Sequence, residues 1–472
     1  MSHASSHMPA PSHTSEQATT HSPHKQLTTA STHPYLRVIE EDTADRKATA
    51  QHPEPLFTGA DSQLLEALEQ HTDSQRDALT TILHDLHQHP EVAFTEHHAV
   101  RTLTTHLEKH HITAELPAFG LDTAFQASIT SADYDPHRHR SIAILSEYDA
   151  LPEIGHGCGH NVIAVAGLGA FIALARLLDT HPHAFSGRVV YLGTPAEEGE
   201  GGKELMARAG AFDNLDAALM VHSYFTDVTD QVWLGRRECA VTFTGHAAHA
   251  SSHPFLGKNA LDAATLAYHG LGLLRQQTPP VDRIHAIITE GGQRPNIITE
   301  SASMAVYVRS PQPDTLKYLS DRVTDVFVGA ARMVGVEVDI TWDESPATLP
   351  VRSNTPLTER WVQAQHRRGR HTYPLGVISE VLAASTDFGN ISYRVPGIHP
   401  LIKIADDTTG LHTREFAAAA ASPLAETAAL DGAFGLAATA LDFLYDDVLA
   451  AAVHEDFENQ GGFIAAEEYF HS

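Results

Sequence analysis

The stretch SIAILSEYDALPEIGHGCGHNVIAVAGLGAFIALARLLDT, residues 141–180, decides the fold. An apolar run ends in acidic residues, a glycine-rich loop follows, and a helix that is apolar on every side comes next. The first run suits a buried strand whose carboxyl end carries function, and the helix is long enough to cross a domain core. Residues 187–194 (GRVVYLGT) and 217–223 (AALMVHS) read as further buried strands. Strand, helix and strand at this spacing predict a mostly parallel α/β layer.

The pattern changes near residue 237, where elements in the order β-α-β-β-α-β predict an inserted ferredoxin-like α+β unit. The α/β pattern resumes after Pro350. Residues 1–60 are poor in apolar side chains and rich in Ser, Thr, His and Pro, which is typical of a disordered tail. The predicted organisation is therefore a tail (1–60), a catalytic domain in two parts (61–236 and 347–472) and the insert (237–346).

Composition excludes several classes of protein. The formal net charge of −28 disfavours nucleic acid and anionic membrane as partners, because both need a basic surface. We find no apolar run of membrane-spanning length and no secretory signal. Two cysteines do not make a disulfide scaffold. We therefore expect a cytoplasmic protein whose partners are small molecules.

The loop GHGCGHN, residues 155–161, places a cysteine among three glycines and two histidines. Cys158 and His160 are two residues apart, so they can face one site, and the glycines leave room for an ion or a substrate. Three interpretations compete: a buried thiol in a turn, a nucleophilic cysteine with a histidine base, and a metal site.

Two later strand ends favour the metal. Glu197 and Glu198 are adjacent in GTPAEEGEGG, and neighbouring carboxylates repel each other unless a cation lies between them. His222 ends the next buried strand, where a parallel sheet presents functional groups. A thiolate, imidazoles and a carboxylate that converge suit zinc or manganese, whereas a thiol protease would not need the glutamate pair.

Five segments together resemble the metallopeptidase family that contains aminoacylases, carboxypeptidase G and dipeptidases. They are SEYDALPEIGHGCGHN, GTPAEEGEGGKELM, GHAAHASSHPFLGKNALDA, GGQRPNIITE and STDFGN. The similarity runs from about residue 73 to about residue 445. It is greatest to the cysteine-containing amidohydrolase branch, which includes auxin-conjugate amidohydrolases, p-aminobenzoyl-glutamate hydrolase and Xaa-Arg dipeptidases.

The resemblance implies a centre of two divalent metal ions, zinc or manganese, with cobalt as a further candidate. Cys158 would bridge both ions. His160 and His222 would complete one site, and Glu198 would complete the other with His412 in GLHTREF. The insert would be a lid that also forms a homodimer.

His399 in GIHPLI is the rival for the last ligand, although a histidine packed before a strand is the more common case. The resemblance makes Asp149 the residue that orients a ligand imidazole. One departure concerns the strand end, where the wider family has His-x-Asp and this chain has Glu147-Tyr148-Asp149. His160 would take the place of the missing histidine, as is usual in the cysteine-containing branch.

The resemblance also assigns the catalytic roles. Glu197 would be the general base for a metal-activated water, and His249 in GHAAHAS would reach the active site of the partner subunit and stabilise the oxyanion. Arg309 would hold the substrate carboxylate, because a planar guanidinium suits that bidentate task. Asn259 and Asn296 would help to bind substrate.

The predicted reaction is hydrolysis of an amide bond in a small dipeptide that bears a free carboxylate. The alternative within the same chemistry is an N-acyl-amino-acid amidohydrolase. Two other classes stay open: an inactive metal-binding homologue, and a cysteine hydrolase that would be inhibited by alkylation and indifferent to chelators.

Overall fold

The computed structural model describes residues 34–471. Its strands are β1 Phe125–Thr130, β2 Arg140–Glu147, β3 Gly187–Thr194, β4 Ala217–Leu219, β5 His222–Tyr224, β6 Gly235–Thr244, β7 Arg283–Glu290, β8 Ser301–Ser310, β9 Glu337–Trp342, β10 Gly397–Ile398 and β11 Leu401–Lys403. Its α-helices are α1 Pro34–Thr49, α2 Ser62–Asp73, α3 Arg76–Gln88, α4 His97–Glu108, α5 His160–Thr180, α6 Gly202–Arg208, α7 Ala260–Leu274, α8 Pro313–Val334, α9 Thr355–Arg367, α10 Phe388–Ser392, α11 Arg414–Ala419, α12 Pro423–Tyr445, α13 Asp447–Asn459 and α14 Ala466–His471.

The predicted α/β layer is a five-stranded sheet in the order β1-β3-β2-β4-β10. β1 runs antiparallel to β3, and the other neighbours are parallel. Alternate residues of β2 belong to different hydrophobic cores: Ile142 and Ile144 to one, Ala143 and Leu145 to the other. Because neighbouring strand residues point to opposite faces, apolar packing covers both faces of the sheet. The fold class is therefore mixed α/β with a mostly parallel sheet, as predicted.

The carboxyl ends of the parallel strands meet at one edge. β2 and β3 end together, with Glu147 opposite Thr194. Beyond β4 the chain forms β5, which pairs with β11 and sets His222 opposite Leu401. The residues that follow β2, β3 and β4 are therefore brought to one place by the topology alone.

Two helices, α5 and α12, are long and apolar enough to cross a membrane by length and composition, contrary to the expectation from sequence. Burial accounts for their apolar character, since 83% and 94% of their most apolar windows are buried inside the protein. They pack against each other and belong to one core with the Ile142 face of β2.

A second, four-stranded antiparallel sheet has the order β7-β8-β6-β9. With α7 and α8 it forms what we call the four-stranded unit, whose chain order is the predicted β-α-β-β-α-β. Strand order 2-3-1-4 is that of a ferredoxin-like fold. β7 is an edge strand, and both Ile287 and Ile288 on it are exposed.

The segment before α2 differs in part from the sequence prediction. The predicted disordered tail comprises residues 1–60, of which residues 1–33 lie outside the described residues. Residues 34–49 form the helix α1. The chain divides into two compact units, and the boundary between them falls after residue 48. Residues 56–60 are held by side chains: Glu359 accepts from the amides of Leu56 and Phe57 at 2.8 and 2.9 Å. At the other end of the chain, α14 packs its buried Phe470 into the core of the four-stranded unit.

A buried ion pair fixes the segment before α2. The Nε of Arg360 donates to Asp442 Oδ2 at 2.7 Å, and its Nη1 donates to the carbonyl of Phe57 at 2.6 Å. Asp442 Oδ1 accepts from the amide of Ala60 at 2.7 Å. Each charge therefore has its partners, which a buried ion pair needs in order not to destabilise the fold.

We expect Arg360→Met to lower the free energy of unfolding by about 3–5 kcal/mol, because it leaves the buried Asp442 carboxylate without its cation. The more exposed pair of Arg367 with Glu69 provides the control, and Arg367→Met should cost less than about 1 kcal/mol. Urea denaturation followed by circular dichroism measures both. Equal losses in the two variants would contradict the assignment.

Candidate metal centre

The GHGCGHN loop depends on glycine at its centre. Gly159 precedes α5 with φ of +74°, in the left-handed region, and a Cβ at this position would lie 2.7 Å from Ser223 Cβ. The hydroxyl of Ser223 also donates to the carbonyl of Gly159 at 3.1 Å. The loop is thus pressed against β5, which sets Cys158 and His160 close to His222.

The first group of potential ligands consists of Cys158, His160 and His222, whose ligand atoms lie within 4.8 Å of one another. The Nδ1 of His160 donates to the carbonyl of Asp149 at 2.8 Å and lies 3.1 Å from its Oδ1. The Nδ1 of His222 donates to the carbonyl of Ser223 at 2.7 Å. Since Nδ1 carries the hydrogen in both rings, each Nε2 is left as a lone-pair donor for an ion.

The second group consists of Cys158, Glu198 and His412, again within 4.8 Å. His412 Nε2 lies 3.7 Å from Glu198 Oε2, and its amide donates to the carbonyl of Gly157 at 3.0 Å. The amide of Glu198 donates to Asp149 Oδ2 at 2.9 Å. Asp149 therefore orients one residue of each group, and Cys158 is common to both.

His399 is packed behind the first group. Its ring is buried and lies 5.4 Å from that of His222, 4.9 Å from that of Trp233 and 5.1 Å from that of Phe388. It belongs to none of the potential ligand groups found among residues 34–471. The geometry therefore brings His412, and not the rival His399, to Glu198.

A buried ion network lies beside the two groups and was not predicted. Lys203 is fully buried, and its Nζ donates to Glu147 Oε2 at 2.6 Å and to Asp387 Oδ1 at 2.7 Å. The other oxygen of Glu147 lies 3.2 Å from His160 Nε2. Lys203 and Asp387 stand in the segments GTPAEEGEGGKELM and STDFGN, which carried the resemblance without a role for either residue. That a lysine there is buried could not be read from the sequence.

The electrostatics of the site favour bound cations. Burial, Glu147 and Glu198 together raise the pKa of Glu197 well above its usual range. Burial likewise raises the pKa of the Cys158 thiol well above its ordinary value. Burial lowers the pKa of His222 to about 4, so its ring is neutral near pH 7, as a metal ligand must be. A thiolate at Cys158 therefore needs a positive charge beside it.

Three buried polar atoms of the site have no hydrogen-bond partner among residues 34–471: His160 Nε2, Glu198 Oε1 and Glu147 Oε1. Buried polar atoms are nearly always paired, so unpaired atoms that converge indicate a missing ligand. All three atoms are lone-pair donors that a cation would satisfy. The residues present thus fit divalent metal ions, which the two groups would hold with Cys158 common to both.

The two groups open into a cavity of about 490 Å³. Arg309, predicted to bind substrate, lines this cavity, as do Arg236 and Tyr307, which were not predicted. Arg236 also donates to the carbonyl of Gly199 at 2.9 Å, in the turn that follows Glu198. The ladder of β6 and β8 sets Arg236 opposite Arg309, a pairing that the sequence does not reveal.

Three predicted residues lie away from the cavity lining. Asn259 caps α7 by accepting from the amide of Leu261 at 3.1 Å, which is a structural role. Asn296 is exposed, and its carbonyl accepts from the amide of Ala250. His249 is exposed, with its Nδ1 3.2 Å from the hydroxyl of Ser251. Its predicted role requires a second subunit.

Two known enzymes and one solved structure are similar to this chain. The chain is 38% identical over 379 residues to the Xaa-Arg dipeptidase of Mus musculus, covering 78% of this chain and 86% of the mouse protein. It is 28% identical over 455 residues to one of the two chains of p-aminobenzoyl-glutamate hydrolase from Escherichia coli K12, covering 82% and 93%. Among solved structures, it resembles the Bacillus subtilis YXEP protein, described as a dinuclear metal-binding peptidase of the M20 family. The TM-score is 0.55 at 20% identity, covering 76% of this chain and 98% of that one.

The model of peptidase family M20/M25/M40 matches residues 143–422, which is more than half of the chain. That span contains both ligand groups, the glutamate pair and the four-stranded unit. We conclude that the chain belongs to peptidase family M20/M25/M40 and is a metal-dependent hydrolase of amide bonds.

Proposed function

We propose that the enzyme is a two-metal dipeptidase that cleaves small dipeptides with a free carboxylate. The observation that carries this proposal is the pair of ligand groups that share Cys158, in one cavity with Arg309 and with Glu197, which is in neither of the two groups. The name of the mouse relative, a dipeptidase, supports the same substrate class. Zinc and manganese suit the mixed sulfur, nitrogen and oxygen donors, and cobalt is a third candidate.

The proposed roles follow from the positions of the side chains. Bound ions would lower the pKa of the attacking water and polarise the amide carbonyl. Glu197 takes the proton from that water and returns it to the leaving amine, which needs a base whose pKa is raised by its surroundings. Asp149 holds His160 and Glu198 in orientation, and Arg309 binds the substrate carboxylate.

An N-acyl-amino-acid amidohydrolase is the second candidate. It is supported by the name of the Escherichia coli relative, whose substrate is an acylated glutamate. The chemistry and the roles above are the same for both candidates. They differ in the acyl group, so a screen that varies the acyl group at constant leaving amino acid separates them.

We also propose a homodimer formed through the four-stranded unit, acting as a lid. Support comes from apolar side chains exposed on the edge strand β7 and on α7, namely Ile287, Ile288, Leu266, Tyr268 and Leu273. An unpaired strand edge next to apolar surface is a typical site of pairing with another chain.

For the cellular location we propose the cytoplasm, where a reducing environment keeps Cys158 as a thiol.

Replacing Glu197 with Gln should lower kcat by about 100- to 10,000-fold, because the proton acceptor is lost. Metal content and thermal stability should stay near those of the wild type. Glu200→Gln, in the same loop but exposed, is the matched control and should keep its turnover. Near-normal turnover in Glu197→Gln would remove this residue from the proposed role.

Metal removal separates the metal mechanism from a cysteine hydrolase. We expect dialysis against a chelator to abolish activity, and zinc, manganese or cobalt to restore it, because the buried donors need divalent cations. Elemental analysis of the same samples should find about two ions per chain. Activity that survives chelation and is lost on treatment with iodoacetamide would support a cysteine nucleophile instead.

The dimer is tested at the edge strand. Ile287→Glu, which places a charge where the exposed fraction is 62%, should halve the mass measured by analytical ultracentrifugation. Val448→Glu, in the first turn of α13 and 71% exposed, is the control and should leave the mass unchanged. A wild-type protein that sediments as a monomer would contradict the proposal.

A further inference from the structure

Two arginines of the four-stranded unit face the catalytic cavity without a counter-charge. Arg236 and Arg309 are direct neighbours across the β6–β8 ladder, and both line the cavity that contains Cys158 and Glu197. Their guanidinium groups lie 5.2 and 5.6 Å from the centre of the Tyr307 ring. The two cations are therefore held near the same aromatic ring at one side of the substrate space.

Neither arginine forms an ion pair with a carboxylate of the described chain, although the protein has a net charge of −28. Arg236 is only 8% exposed and donates one hydrogen bond to a carbonyl, that of Gly199. The Nε of Arg309 is buried and has no partner. By contrast, the adjacent Arg237 is paired with Asp343 at 2.6 Å.

This arrangement is unfavourable in the absence of an anion. Like charges directly opposite each other on neighbouring strands destabilise a sheet, and charge that is withdrawn from water without a counter-charge is unfavourable. Burial and the nearby Arg236 both lower the pKa of Arg309, as expected for two positive charges that repel each other. An anionic ligand that bridges them relieves both costs.

The two cross-strand neighbours of Arg309 differ in whether they reach the cavity. Arg283 on β7 also lies opposite Arg309, but its guanidinium donates to the carbonyls of Pro280 and Asp282 and does not line the cavity. Of the two cross-strand neighbours, only Arg236 joins Arg309 at the cavity.

The carboxylates that line the cavity are already engaged. Glu198 belongs to a ligand group, Glu197 is the proposed general base beside it, and Asp387 is held by Lys203. The described chain thus offers two cations, and no further carboxylate, to the part of a substrate that lies beside Tyr307. A substrate with a basic side chain there would add a third positive charge.

We propose that Arg236 and Arg309 form a dianion subsite, which takes the two carboxylates of an aspartate- or glutamate-type leaving residue. The inference rests on the proposed function, in which Arg309 holds the free carboxylate of the substrate. Arg236 adds a second guanidinium, which binds the side-chain carboxylate through two parallel hydrogen bonds. The enzyme therefore prefers amides of acidic amino acids to those of neutral or basic ones.

The test compares three substrates with one acyl group and with glutamate, glutamine or arginine as the leaving residue, on the metal-loaded enzyme. Glutamate and glutamine have nearly the same shape, so their ratio reports the charge alone. We expect kcat/KM for the glutamate substrate to exceed that for glutamine by about tenfold or more, with arginine lowest. Equal values for glutamate and glutamine, or a preference for arginine, overturn the proposal.

Arg236→Met should bring the ratio of glutamate to glutamine close to one, mainly by raising KM for the glutamate substrate. A merely structural role for Arg236, through Gly199, would lower turnover of all three substrates by the same factor, and that result also overturns the proposal. Arg283→Met is the matched control and should keep the wild-type ratio.

Competitive inhibition of the wild type gives a measurement that does not depend on the folding of a variant. Glutarate should inhibit at a concentration about tenfold or more below that needed for butyrate, and equal potency counts against the subsite. Failure of the proposed function has a different signature, since no substrate of the three would be hydrolysed whatever its charge.

Discussion

Buried negative charge at one edge of the parallel sheet is the constraint on which this site depends. Glu147, Asp149, Glu197 and Asp387 all lie there with little or no exposure to water. Lys203 compensates part of this charge through Glu147 and Asp387. Bound cations would compensate more of it, because buried carboxylates without partners are strongly unfavourable. The charge of the site, as well as the identity of its potential ligands, therefore favours bound metal ions.

The sheet topology explains why this charge can be gathered at all. Parallel strands end at one edge, so residues that follow β2, β3 and β4 meet although they lie far apart in the chain. The helix α5 begins at His160 and packs against α12 in the core, which gives the GHGCGHN loop a rigid support. A glycine at position 159 lets that loop approach β5. The potential ligands of this loop are therefore held in place by the helix and the strand that pack against it.

The four-stranded unit carries charge of the opposite sign. Arg236 and Arg309 line the same cavity as the acidic metal site, and Arg236 also contacts the turn after the glutamate pair. The cavity is thus acidic on the side of the potential metal ligands and basic on the side of β6 and β8. Under the proposed function, this division would orient a substrate that has an amide at one end and carboxylates at the other. The resemblance to the family predicts the acidic side of the cavity. The pairing of Arg236 with Arg309 on the basic side is a feature of this chain's own residues.

Strand and helix periodicity, together with the short motifs, predicted the α/β class, the β-α-β-β-α-β insert, the family and the potential ligands Cys158, His160, Glu198 and His222, because these depend on local pattern. Only the tertiary structure brought His412, and not His399, close to Glu198, buried Lys203 between two carboxylates and placed Arg236 opposite Arg309. It also assigned Asn259 to a helix cap and packed α14 into a core. The physical reason is that burial and cross-strand register are set by partners distant in the chain, and no single segment of sequence contains them.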